Sequence, residues 1–195
     1  MDRVLINAKD FLAMAKALET AASSDKSYGR LSSVCVEIGD GSVKIAATDG
    51  HRLVRYGFER VEGREFPNID QVVPATEKLF YACRANVAEI KSVLKAFGKA
   101  PANSGAKLSI SGGKMMVGAK YSPITGTVEV LEVDSHGLPE GYEISVNAKL
   151  FADCLDAAQS PMVTIYFDAS PLQAMRIQGD GNGGRQEIVL MPMRL

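Results

Sequence analysis

The sequence has no tryptophan and, among 195 residues, only two histidines and three cysteines. The histidines, His51 and His136, have no cysteine or second histidine at ligand spacing, so no metal site and no cofactor is expected. No serine sits in a nucleophile-elbow pattern that Asp49 and His51 could complete, so no catalytic residue is assigned and enzymatic activity is not expected. Cys35, Cys83 and Cys154 are odd in number and far apart in apolar contexts. They read as reduced core thiols of a cytosolic protein. No apolar run approaches the about 20 residues that span a bilayer, and Met1-Asp2-Arg3-Val4 has no signal-peptide pattern. The expected location is therefore cytoplasmic, with no membrane partner. A net charge of −1 leaves no overall field to attract nucleic acid, so any such contact must come from local basic patches. Gly179-Asp180-Gly181-Asn182-Gly183-Gly184 lacks the Lys-Ser/Thr of a phosphate loop and lies between two strand-like stretches, which makes it a hairpin.

What is present is a hydrophobic end. Val189-Leu190-Met191-Pro192-Met193-Arg194-Leu195 is apolar where chain ends are usually polar and frayed, so it must pack. A second motif lies far upstream at Ala47-Thr48-Asp49-Gly50-His51-Arg52-Leu53; by itself, Thr48 to His51 reads as a tight turn.

Between them one pattern occurs three times: a short strand, an Asn, then an amphipathic helix. The instances are Val4-Leu5-Ile6 with Asn7, Leu79 to Cys83 with Asn86, and Ile144-Ser145-Val146 with Asn147. Each Asn is placed to accept from first-turn amides. Apolar stripes follow at Phe11, Met14, Ala15, Leu18 and Ala22, at Ile90, Val93, Leu94 and Phe97, and at Phe151, Cys154, Leu155 and Ala158. Three strand-like stretches succeed each helix, as at Lys107 to Ser111, Met115 to Ala119 and Thr125 to Val133, where Gly112-Gly113 marks a hairpin. The chain thus reads as an α+β protein of three βαβββ units. Residues 1–65 form one unit, and residues 66–195 form a pair, 66–137 and 138–195, with boundaries near Phe66-Pro67 and Gly137-Leu138-Pro139. Two such units can close a domain, helices on one face and sheets on the other. The third is left without a mate.

With Ala47 to Leu53, Phe66-Pro67-Asn68-Ile69 with Pro74, the Asn147 helix start and Met191 to Leu195, the chain resembles the bacterial DNA polymerase III beta sliding clamps. The segment to about Arg64 resembles the first half of that family's middle domain, and Phe66 to Leu195 its complete last domain. Nothing resembles the family's first domain or the rest of its middle one. The resemblance implies a DNA-clamp fold and a processivity role in DNA replication. It also implies a pocket that takes linear peptides of a DNA polymerase, clamp loader or repair protein. Carried over by position, that pocket would use Leu31, Thr48, Gly50, His51, Arg52 and Leu53, then Pro67 and Val72. From the last unit it would use Asn147, Leu150, Leu172, Ala174, Val189, Leu190, Met191, Pro192, Met193 and Arg194. Leu31, Leu53, Leu172, Leu190 and Met193 would form an apolar slot, with His51 and Arg52 serving peptide carbonyls or acids. Asn103 departs from the family, which often has an apolar residue there.

Double-stranded DNA would be met without sequence specificity by Lys91, Lys95 and Lys99, which recur every four residues, by Lys9 and Lys16, and by Arg84. Asp153 and Asp156 make the third helix a poor DNA surface. Self-association into a four-chain ring is the leading expectation. The alternative is a peptide-binding adaptor or decoy that never encircles DNA.

Overall fold

The computed structural model describes residues 8–39, 42–59, 81–97, 105–111, 113–119, 125–134, 141–179 and 185–193. Two of the three Asn caps fall within them. Asn86 Oδ1 accepts from the amides of Ala88 (2.8 Å) and Glu89 (3.3 Å), starting helix α2 (Val87–Ala96). Asn147 Oδ1 accepts from Lys149 and Leu150, both at 3.0 Å, starting α3 (Ala148–Ala157). These bonds satisfy amides that have no partner inside the helix. Asn7 lies outside the described residues, as do both expected unit boundaries.

The strands are β1 (Cys35–Gly39), β2 (Ser42–Thr48) and β3 (Arg52–Glu59) after α1 (Ala8–Ala21). Then come β4 (Tyr81–Asn86), and, after α2, β5 (Gly105–Ser111), β6 (Lys114–Ala119) and β7 (Thr125–Asp134). The last set is β8 (Glu143–Asn147), and, after α3, β9 (Met162–Phe167), β10 (Met175–Gly179) and β11 (Arg185–Leu190). The second and third βαβββ units are therefore complete. A 3-10 segment at Lys26–Ser32, not foreseen from the sequence, links α1 to β1.

Among the described residues eleven strands join in the order β1-β2-β3-β11-β10-β9-β4-β7-β6-β5-β8, and every pairing is antiparallel. The second and third units exchange their first strands: β4 pairs with β9, and β8 with β5. Long β7 turns a corner, its first half on β6 and its second on β4. The first unit attaches at its own edge, β3 on β11, with Leu190 opposite Arg52 and Val189 opposite Leu53.

Helix α3 packs between α1 and α2. Phe151, Leu155, Ile90, Leu108, Ile144 and Phe167 are fully enclosed beneath the helices, each contributing about 1.5–3 kcal/mol of transfer free energy. In α1 the buried residues are Met14, Ala17, Leu18 and Ala21, so the packed stripe is rotated from the expected one toward alanines; Ala15 is half-buried, and the side chain of Phe11 lies outside the described set. Cys83 and Cys154 are core thiols as expected, but Cys35 is exposed, because it sits on the edge strand β1, both of whose faces are open at that point. Burial pushes the Cys154 thiol up to about 12.

Candidate functional site

The two sequence motifs meet. Beyond the last β3–β11 pair, the amide of Met191 donates to the His51 carbonyl at 2.9 Å, and that of Met193 donates to the Ser145 carbonyl of β8 at 2.7 Å. The C-terminal run is thus held by the first unit at one point and by the third at another. Met191 lies beside His51 and is 47% exposed. Pro192 and Met193 are half-buried, as are Leu53, Leu150, Val189 and Leu31. Leu172 projects from the β9–β10 loop, strongly exposed. Of these residues, Met191 and Met193 are the ones the backbone hydrogen bonds fasten along the seam between the first and third units.

Two expected pocket residues do other work. Leu190 is fully buried, so it supports the surface from beneath rather than lining it. Arg52 is only 7% exposed, and its guanidinium is consumed within the fold. Nε donates to Asp49 Oδ2 (3.2 Å), Nη1 to Asp153 Oδ2 (2.7 Å), and Nη2 to the Thr20 carbonyl. A residue read as a peptide contact is instead a strut tying β3 to α1 and α3. Asp49 also builds the turn, accepting from the amides of His51 (2.9 Å) and Arg52 (3.0 Å) through Oδ1. Gly50, at φ +89°, takes the left-handed position the turn requires. Thr48 Oγ1 donates to the Arg52 carbonyl at 2.6 Å and accepts from the Gly50 amide. The turn reading of this segment and its place at the seam therefore hold together, and His51 is left exposed. Pro67, Val72 and Arg194 lie outside the described residues.

On the helix face, Lys16 and Lys95 are exposed. Each is nine residues after its Asn, and the corresponding residue of α3 is Asp156. Lys91 is not available in the same way, because its ammonium is ion-paired with Asp156 across α2 and α3. Arg84 alternates with the buried Cys83 and Ala85, which directs it to the sheet face away from the helices. The side chain of Lys9, and Lys99 altogether, lie outside the described residues. Asp153, counted in the sequence only against DNA binding, also accepts from Lys149 Nζ at 3.1 Å. Among the described residues no cluster of three or more His, Cys, Asp or Glu could hold a metal ion. None of the described helices is long and apolar enough to cross a membrane.

No protein-family model and no curated protein matches the chain. Solved structures do. A beta sliding clamp from Caulobacter crescentus superposes with a TM-score of 0.70 at 16% identity, over 100% of this chain and 68% of that one. The DNA polymerase III beta subunit of Thermotoga maritima gives 0.70 at 18%, over 97% and 65%. A griselimycin-bound sliding clamp from Bartonella birtlesii gives 0.72 at 15%, over 100% and 69%. The chain has the sliding-clamp fold, and it spans about two thirds of the length of these proteins.

Proposed function

We propose that this chain is a short, non-enzymatic processivity factor of DNA replication. It would tether a DNA polymerase, clamp loader or repair protein to double-stranded DNA by holding a linear peptide at the seam. The observation that carries the reading is the C-terminal run, fastened to His51 and to Ser145 with Met191 and Met193 placed between. Such a surface suits an extended peptide with hydrophobic anchors, the methionines adapting to its side chains and His51 offering a polar contact. Lys16 and Lys95, with Lys9 and Lys99, would meet phosphates loosely, as a sliding contact must. Four chains would supply the twelve units of a six-domain ring and place it in the bacterial cytosol, around the chromosome.

The Lys91–Asp156 pair and the acids of α3 favour a second reading, an adaptor or decoy that binds the same peptides without encircling DNA. One measurement tests the pocket common to both readings, and a second separates them. Met193→Asp should abolish binding of a short fluorescent peptide with leucine and phenylalanine anchors, followed by anisotropy; unchanged affinity means the pocket is misassigned. Light scattering with and without a short duplex should give about 84 kDa, four times the chain mass of 20.9 kDa. A monomer indifferent to DNA selects the adaptor.

A further inference from the structure

The first unit carries an apolar face that its counterparts in the same chain cover. Hairpin β1–β2 closes at Gly39↔Ser42 and hairpin β5–β6 at Ser111↔Lys114. Counting back from these, Val36 corresponds to Leu108 and Val34 to Ala106. Leu108 and Ala106 are completely buried, whereas Val36 is 55% and Val34 45% exposed. The two valines open onto a groove of about 710 Å³ whose walls include Met14, Ala15 and Leu18 of α1 and Ile45 of β2, with Glu19 and Lys26 among the polar residues that also line it. Ala15 corresponds to Leu94 and Leu155, each eight residues after its Asn, so one wall of the groove carries an alanine where the other two helices place a leucine. Strand β1 ends the sheet and, among the described residues, pairs only with β2.

The complete pair of units shows what such a face takes, and shows it twice. Leu108 and Ala106 are covered by β8 through the pairs Leu108↔Ile144 and Ala106↔Val146. On the other side Ile165 and Val163 pair with Cys83 and Ala85 of β4. In both cases the covering residues stand one and three positions before the helix-capping Asn of the opposite unit. Ile6 and Val4 stand one and three positions before Asn7 in the same way, and both are apolar. A unit does not cover its own face by this rule, because β4 lies three places from β5 in the strand order. The candidate strands of the second and third units are already spent on each other. Among the three units of this sequence, the first is the one whose capping-Asn strand is not used in this way, and a second copy of it supplies the right pattern.

We propose that two chains pair through their first units across a two-fold axis, each β1 receiving the other chain's Val4-Leu5-Ile6 strand. Ile6 would lie opposite Val34 and Val4 opposite Val36, with the partner's α1 closing the groove. The contact is isologous, so each exposed stripe is covered by the same operation. It rests on the ring reading above only in naming how chains join, and it gives that ring a composite domain made of two half domains. Self-association at this face stands or falls apart from peptide capture at the C-terminal seam.

The test uses the full chain. Val36→Glu changes a surface position, so the variant should fold; light scattering over a concentration series should give half the wild-type mass or less, with anchor-peptide affinity unchanged. A second measurement reads the register. In a Cys35→Ser background, separately purified Val4→Cys and Val36→Cys chains are mixed under oxidised glutathione. Interchain disulfides should form in the mixture and not in either chain alone. The proposal is overturned by a wild-type monomer at all concentrations, by a V36E variant that keeps the wild-type mass, or by no cross-link in the mixture. Loss of peptide binding in M193D with the mass intact would leave this interface standing and support the seam.

Discussion

Replacing Arg52 by Ala removes a cation held by two carboxylates and a carbonyl in a nearly closed site. Breaking one member of a fully buried ion cluster costs about 3–5 kcal/mol. Here the cost is smaller, for reasons on both sides of the cluster. The Asp49 side chain is 17% exposed and keeps two backbone amides, and that of Asp153 is 22% exposed and keeps Lys149. About 2–3 kcal/mol remains, assigned to the orphaned Thr20 carbonyl, the partly wet Asp153 and the lost packing of the side-chain stem. At roughly 2–4 °C per kcal/mol for a chain of this size, the melting temperature should fall by about 5–10 °C. Urea unfolding followed by circular dichroism measures the free energy, and a double-mutant cycle with Asp153→Asn should give a coupling of about 1–2 kcal/mol. Arg52→Lys should recover less than half the loss, since one ammonium cannot span the three acceptors. Below its melting temperature the Lys variant should keep peptide affinity within about twofold, because no guanidinium donor was offered to the peptide. A loss under about 0.5 kcal/mol for R52A, or a coupling of zero, would refute the strut.

Two glycines mark close approaches of different hardness. A Cβ on Gly179 would stand 2.4 Å from the Ala158 carbonyl oxygen, while one on Gly126 would stand 2.4 Å from Cγ1 of Val93. Backbone cannot yield as a valine can, so Gly179→Ala should cost more than Gly126→Ala, about 3 against about 1–2 kcal/mol by urea unfolding; the reverse order would contradict the packing of β10 under α3. Stability should also fall in alkali. Burial holds Tyr56, Tyr142 and Cys154 neutral up to about 12, above ordinary values of 10.0, 10.0 and 9.0, with Asp168 adding to the effect at Tyr142. The unfolded chain loses these protons first, so the stabilisation is complete below about pH 9 and drains away between there and about pH 12. A denaturation midpoint unchanged between pH 8 and 11 would dispose of that linkage.

Much of this fold is legible because its signals are local. An Asn cap and the helix stripe behind it lie within one stretch of chain, as at Asn86 with Ile90 and Leu94 or Asn147 with Phe151 and Leu155. Strand runs and hairpin glycines are local as well, and the elements fall where periodicity puts them. What escaped depends on distance. Arg52 reads as a free cation beside His51 because its partner Asp153 is 101 residues away, and Lys91 reads as DNA-facing because Asp156 is 65 residues away. Residue type announces that a charge must be satisfied but not by whom. Ala17 and Ala21 escaped for another reason: alanine is as common on an exposed helix face as on a packed one, so it carries little phase information.

Strand β1 is the case where sequence and structure disagree without either being misread. Val34 and Val36 alternate with Cys35 and Glu37 as a half-buried strand should, yet the apolar side is exposed as well as the other. A single misplaced valine would be unremarkable on any surface. Two in register, beside an apolar groove and on a sheet edge, match positions whose equivalents elsewhere in the chain are completely enclosed. The alternation therefore describes a face made to be covered, and the described residues of one chain do not cover it. Periodicity reports which side of a strand is dry in the working assembly, which need not be the side that is dry in a monomer. Where the two differ, the mismatch locates the interface, and here it falls on the unit that has no mate among the described residues.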